Sequence, residues 1–261
     1  MKKVVKTVVS FLAGYFMLFG QVAKANDADD RYIYVGAKVG ISEPVVKTFT
    51  DKETRSKFRL KQSRLVGGRI GYSFYPNMMV ELHFTHKPKY GLTYMLPEAD
   101  TGVVHPLLGA LTIPKTPGST KVSSSVYTIN LLYQFEPQFM ELKPYVSIGA
   151  GVARLSVKST TTATSVLNSA VGIQIPTQTE YFRIKKDTSN YLAWQIGGGI
   201  SKDLTPNIAL DLGAKLQVVN NIKLKYDTLN SATGRFESQK PIKKTIGVGE
   251  FTFGVTFKIP V

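Results

Sequence analysis

From Gly249 to Ile259 apolar and polar residues alternate without a miss. Phe251, Phe253, Val255, Phe257 and Ile259 form one face, and Glu250, Thr252, Gly254, Thr256 and Lys258 form the other. A period of two marks an extended strand whose two faces meet different media. Three phenylalanines on one side and ionisable groups on the other suit a strand that crosses lipid, where about 9–11 residues span the hydrocarbon obliquely. The pattern recurs upstream, with apolar sets led by Ile33, Val66, Val80, Tyr127, Val146, Leu192 and Ile208. Opposite them lie small or ionisable residues: Lys38, Arg69, Glu81, His83, Asn130, Gln195, Asp211 and Lys215. Eight strands result. Connections of roughly 20–35 residues follow the first, third, fifth and seventh, and turns of under about 10 follow the others, an asymmetry typical of barrels with short turns on one side of a membrane and long loops on the other.

The ends of the chain and its composition agree with that reading. Lys2, Lys3 and Lys6 precede an apolar run from Thr7 to Gly20, and Ala23-Lys24-Ala25 then stands ahead of an acidic segment. This is the form of a secretory signal peptide cleaved after Ala25, leaving residues 26–261 as one barrel domain. The apolar run falls short of the ~20 residues that a spanning helix needs. The chain has no cysteine, which excludes disulfides and a lipid-anchored lipoprotein. Its net charge of +15 falls to +11 without the four lysines of the signal segment. A basic surface calls for anionic partners, and export makes nucleic acid an unsuitable one.

A water-soluble eight-stranded barrel also alternates, but with the opposite face inward. The glycines decide between the two. Gly36, Gly40, Gly67, Gly71, Gly149, Gly197 and Gly213 share the face that carries the charges. The interior of an eight-stranded barrel is narrow, so small residues beside a few long polar ones fill it. Tyrosines, Trp194 and phenylalanines on the other face fit interfacial girdles. Closure also satisfies the backbone groups that hydrocarbon cannot. The expected fold is all-β: an eight-stranded antiparallel transmembrane up-and-down barrel with long extracellular loops.

Tyr34-Val-Gly-Ala-Lys-Val-Gly40, Tyr75-Pro76-Asn77 followed by Val80-Glu81, and Thr205-Pro206-Asn207 resemble strands and hairpins of the small outer-membrane barrels of the opacity-protein and outer-membrane-protein-A type. Thr252, Gly254, Phe257 and Ile259 resemble the family's assembly signal, which implies the barrel-assembly machinery as a partner. The chain departs from it by ending Pro260-Val261 rather than in an aromatic residue. The resemblance covers the eight strands. It implies residence in the outer membrane, among its lipids and lipopolysaccharide, and a pairing of Lys38 with Glu81. No periplasmic domain is expected after the barrel.

The inward face sets Lys38, Arg69, Lys215 and Lys258 against Glu81, Asp211 and Glu250. An unpaired buried charge costs several kcal/mol, so a network is expected, with Glu81 taking Lys38 or Arg69 and Asp211 or Glu250 taking Lys215. Such a network reads either as a polar plug or as the gate of a narrow pore or transporter. Catalysis would require a histidine beside a nucleophile, but His83 has Glu81 and Thr85 as neighbours and no serine. The three histidines have no metal-binding grouping. Neither an enzyme nor a cofactor is expected, and a lipid-modifying activity is the weakest alternative.

Function therefore falls to the loops. The first holds Lys47, Lys52, Arg55, Lys57, Arg59 and Lys61; the last holds Lys223, Lys225, Arg235, Lys240, Lys243 and Lys244. Strands one and eight adjoin in a closed barrel, so the two basic loops should be neighbours. They are expected either to dock an anionic glycan or an acidic protein of a host surface, or to neutralise lipopolysaccharide phosphates at the rim. Leu107, Leu108 and Leu111 of the second loop suggest a small core or a contact patch.

Overall fold

A computed structural model describes residues 31–50, 55–75, 77–105, 109–136, 141–168, 174–230 and 235–261. The signal segment, Lys52, and Leu107 and Leu108 lie outside the described residues, and the side chain of Leu111 is likewise undescribed. The strands in chain order are β1 (Tyr32–Pro44), β2 (Thr48–Thr50), β3 (Lys57–Leu60), β4 (Ser63–Tyr75), β5 (Met78–Leu96), β6 (Ala99–His105), β7 (Gly109–Ile113) and β8 (Thr116–Gln134). They continue with β9 (Leu142–Val157), β10 (Thr160–Asn168), β11 (Gln174–Ile184), β12 (Asp187–Thr205), β13 (Ile208–Leu224), β14 (Tyr226–Asn230), β15 (Arg235–Ser238) and β16 (Ile242–Pro260).

Eight of these close a ring in the order β1-β4-β5-β8-β9-β12-β13-β16, every pair antiparallel. Tight turns join β4 to β5 and β12 to β13. Asn77 takes positive φ in the first of these turns, a conformation asparagine tolerates. The outward face carries the expected apolar band, with Leu192 64% and Phe251 58% exposed, while Glu250 opposite is fully buried. Lipid is the only medium that makes such a surface favourable over so large an area.

The connections read as irregular carry strands of their own. The hairpin β2-β3 pairs with the upper part of β5, and β6, β7, β10, β11, β14 and β15 form a second sheet. The barrel strands themselves run on past the apolar band, so β5, β8, β12 and β16 each reach 19 residues. The first and last loops accordingly become wall rather than open coil.

Two bulges explain how the wall changes medium. On β5 the even positions are apolar from Val80 to Leu96 apart from His86, and point outward through Phe84 but inward from Tyr90. Between Lys87 and Tyr90 two residues of β5 stand opposite one of β8, and this exchanges the faces. On β13 the same exchange falls between Val219 and Ile222, where Asn221 takes positive φ. Leu212 faces outward below it, whereas Leu224 packs against the inner core above. That upper core contains Phe58, Leu60, Tyr90, Leu92 and Ile242, and Phe182 and Tyr226 of the second sheet close over it. Phe182 stacks on Tyr226 at 5.3 Å and leans on Tyr94 at 5.4 Å.

Candidate functional site

The lumen within the apolar band is filled from its lower end upward. Tyr34, Met79, Leu132 and Tyr145 pack together there, and the Tyr34 hydroxyl donates to Glu81 at 3.3 Å. Gly71 makes room for this tyrosine, since a Cβ on it would stand 2.2 Å from the ring. Asp203 takes Lys258 at 2.6 Å and Lys143 at 2.9 Å. Above them Arg69 lies between Glu81 and Asp211, 3.6 Å from each, and donates to Thr256 at 2.6 Å.

A second group sits higher. Glu250 accepts from Lys215 at 3.2 Å and pairs with Lys87, which also donates to Gln217. Lys215 donates to Gln195 at 3.1 Å and lies 3.3 Å from His83 Nδ1. Gln195 in turn reaches Thr128 and Asn130. Between and below these groups the lumen retains pockets of about 40 Å³, and Arg69 lines both of them. These side chains fill the tube, as eight strands allow.

Lys38, Arg69, Glu81, Asp211, Lys215 and Glu250 therefore all meet in the lumen. The partners differ from the resemblance in one respect: Arg69, not Lys38, holds Glu81. Register is the reason. Lys38 stands opposite Gly67, which stands opposite Thr85, four residues along β5 from Glu81. Lys38 makes no ion pair within 4.0 Å among the described residues. The expected network does not include Lys87, although the series Glu81, His83, Thr85 leads directly to it.

The basic residues of the loops divide into three groups. Lys57 and Arg59 point outward from β3, while Phe58 and Leu60 point into the core. With Thr48, Thr93, Ser119 and Thr160–Thr162 they line a shallow groove of about 730 Å³. Arg55 and Lys61 flank them and are exposed. Lys223 and Lys243 stand directly opposite each other across β13 and β16, both exposed. The other two residues depart from the expected anion surface. Lys225 is held by Asp187 at 2.9 Å, and Lys244 turns to the inner side, its ammonium 5.9 Å from the Phe49 ring. That last contact joins the first and last loops, which are neighbours. Of the assembly-signal residues, Phe257 and Ile259 face outward, while Thr252 and Gly254 face the lumen.

Asp187 and Tyr94 are among the groups perturbed in this upper region. Partial burial opposes ionisation of Asp187, but hydrogen bonds from Lys225 and Ser189 prevail and hold its carboxyl below the usual range. Burial pushes the Tyr94 hydroxyl up against the effect of its 2.6 Å bond to Thr162.

Residues 11–258 match the family described as outer membrane protein beta-barrel domain. The uncharacterized protein RP788 of Rickettsia prowazekii (strain Madrid E) is 36% identical over 196 residues, which cover 75% of this chain and 99% of its own. Among solved structures, Neisserial surface protein A is similar over 90% of this chain and 100% of its own, at 14% identity and a TM-score of 0.44. A major outer membrane protein from Thermus thermophilus is similar over 88% of this chain and 100% of its own, at 11% identity and a TM-score of 0.46.

Proposed function

This chain belongs to the outer membrane protein beta-barrel family and resides in the outer membrane, and from that premise we propose that its extracellular extension is a docking surface for an anionic glycan. The barrel serves as a non-enzymatic stem with a plugged lumen, and the outer face of β3 with its groove makes the contact, in adhesion or envelope interaction. The observation that carries this reading is the position of Lys57 and Arg59. They stand beside Met95 and Thr93 on β5, well past His86, where the apolar band ends. That separation corresponds to roughly 15–20 Å along the barrel axis, beyond the reach of lipid phosphates. Arg64 and Arg154, each two residues past the last exposed apolar residue of its strand, are the cations suited to phosphates at the rim. Around Lys57 and Arg59 the hydroxyls of Thr48, Thr93 and Ser119 offer the donors and acceptors that a sugar ring uses.

The test uses the barrel in phosphatidylcholine liposomes free of lipopolysaccharide, with immobilised heparin as the polyanion. Binding is expected to weaken as salt shortens the screening length. Replacing Lys57, Arg59 and Lys61 by glutamine should lower it about tenfold or more, the effect of losing two or three charge-assisted contacts. The Arg64→Gln, Arg154→Gln variant should bind as the parent does. The reverse outcome would assign the basic residues to lipopolysaccharide.

The competing pore reading has its own measurement. A plugged lumen gives no conductance in planar bilayers, and a trace that stays flat in both Lys38→Gln and Glu81→Gln removes the gate. Conductance that rises in either variant would restore it.

A further inference from the structure

Above the charged plug the lumen becomes an apolar chamber of about 80 Å³, walled by Leu92, Val122, Leu155, Val157, Val219 and Ile246. A single water needs roughly 10–15 Å³ and several polar partners, so a space of this size and lining stays dry and suits an apolar guest. Its floor is polar but already satisfied, with Lys87 engaged by Glu250 and Gln217. The second sheet covers its top.

The chamber has a side opening. The pairing of β1 with β16 ends at Pro44 and Val248, followed by one bond from the Val45 amide to the Gly247 carbonyl. Among the described residues β2 pairs with β3 alone, so β16 from Ile242 to Ile246 has β13 on one side and no strand on the other. Phe49 and Lys244 face each other across this seam. Lys244 occupies an inward position between Ile242 and Ile246, opposite Ile222. No carboxylate lies within ion-pair distance of it among the described residues. An inward lysine at the mouth of a dry pocket, without a protein counter-ion, is a cost to the fold unless an anion joins it there.

We propose that the chamber binds a short-chain carboxylate, with its alkyl tail among Leu92, Leu155, Val219 and Ile246 and its head group on the Lys244 ammonium at the seam. The volume, about half that of a 150 Å³ cavity that takes benzene, admits a tail of about three or four carbons and excludes longer chains and phospholipids. An inward ammonium without a protein counter-ion favours a monoanion over a neutral alkane or alcohol. The seam lies above the apolar band, so the ligand would enter from the outer surface of the membrane and not from its midplane.

The experiment labels the folded barrel in nanodiscs with 4,4-azipentanoic acid, a five-carbon carboxylate carrying a diazirine, and maps the adducts by mass spectrometry. Folding of each variant is checked by its heat-dependent shift on gels. Adducts are expected on chamber residues of β9 and β13, displaced by excess pentanoate and not by pentanol. Lys244→Gln should weaken labelling about tenfold, the share of one charge-assisted contact, and Lys244→Arg should restore it. Leu155→Trp should abolish labelling by filling the space; if that variant does not fold, Val219→Phe serves the same purpose. Adducts confined to the lipid-facing band around Leu192 and Phe253, equal displacement by pentanol, or labelling indifferent to both fillings would each overturn the proposal.

Discussion

The even positions of β16 line the lumen along its whole length, yet the strand divides into two unlike halves. Below, Glu250, Thr252 and Gly254 face inward while Phe251, Phe253 and Val255 face lipid. Above, Ile242, Ile246 and Val248 face inward while Lys243 and Thr245 face water. In the lower half stability comes from side chains that neutralise one another in a confined space. In the upper half it comes from apolar burial, as in a soluble barrel. One wall thus serves two solvents. On β5 and β13 the exchange is made by a bulge, and on β16 by a change of residue type alone.

The largest expected effect tests the bulge of β5. Only one residue of Pro88 and Lys89 is in excess of the ladder with β8, so deleting Lys89 should leave every face as it is, and the variant should fold. Deleting both residues shifts parity and turns Tyr90, Leu92, Tyr94 and Leu96 outward. At about 1.5–3 kcal/mol for each such side chain, the loss approaches the whole stability of a domain. The double deletion should therefore lose the extracellular extension, read as new protease cleavage within 90–125 on the surface of intact cells. Equal resistance of the two deletions would show that the bulge does not set the faces.

A smaller effect is expected in the lower half. Glu250→Gln leaves Lys87 and Lys215 without their carboxylate in a fully buried place. Removing one partner of a buried pair costs about 3–5 kcal/mol, to be measured from urea unfolding of the barrel in lipid vesicles. Lys244→Gln, in the upper half, removes a charge with no protein partner and should raise the unfolding midpoint slightly, the opposite sign. Comparable shifts in the two variants would mean that the plug and the chamber are energetically alike.

The membrane half was legible in the sequence because lipid enforces alternation without exceptions: Ile33 through Ile41 and Phe251 through Ile259 can be read only as strands with one apolar face. The upper half obscured its own pattern. Lys57-Phe-Arg-Leu60 alternates as strictly as any lipid-facing strand, but its charges mark it as a loop when only the lower phase is sought. The bulges break parity where Pro88 or Asn220-Asn221 already suggests a turn, so Tyr90, Leu92 and Tyr94 were separated from the strand they continue. The partners of the lumen charges depended on strand stagger. Alternation placed Lys38 and Arg69 on the same face, but not at the same height as Glu81.

The smallest expected effect concerns the join between the extension and the second sheet. Lys225 of the β13–β14 connection reaches Asp187 at the start of β12, and its carbonyl accepts from the Lys185 amide at 3.0 Å. The Asp187 carboxyl titrates below its ordinary 3.8, so the ordering it provides is fully present above that pH and is lost as pH falls through the lower, folded value. The Lys225 side of the pair is exposed, and salt and side-chain entropy keep its contribution small. The protection factor of the Lys185 amide should fall modestly on acidification below about pH 4, the range where an unperturbed carboxylate protonates. In Asp187→Asn it should already be low at neutral pH and show no such step. A step that persists in that variant would assign it to another carboxylate and leave the join independent of this contact.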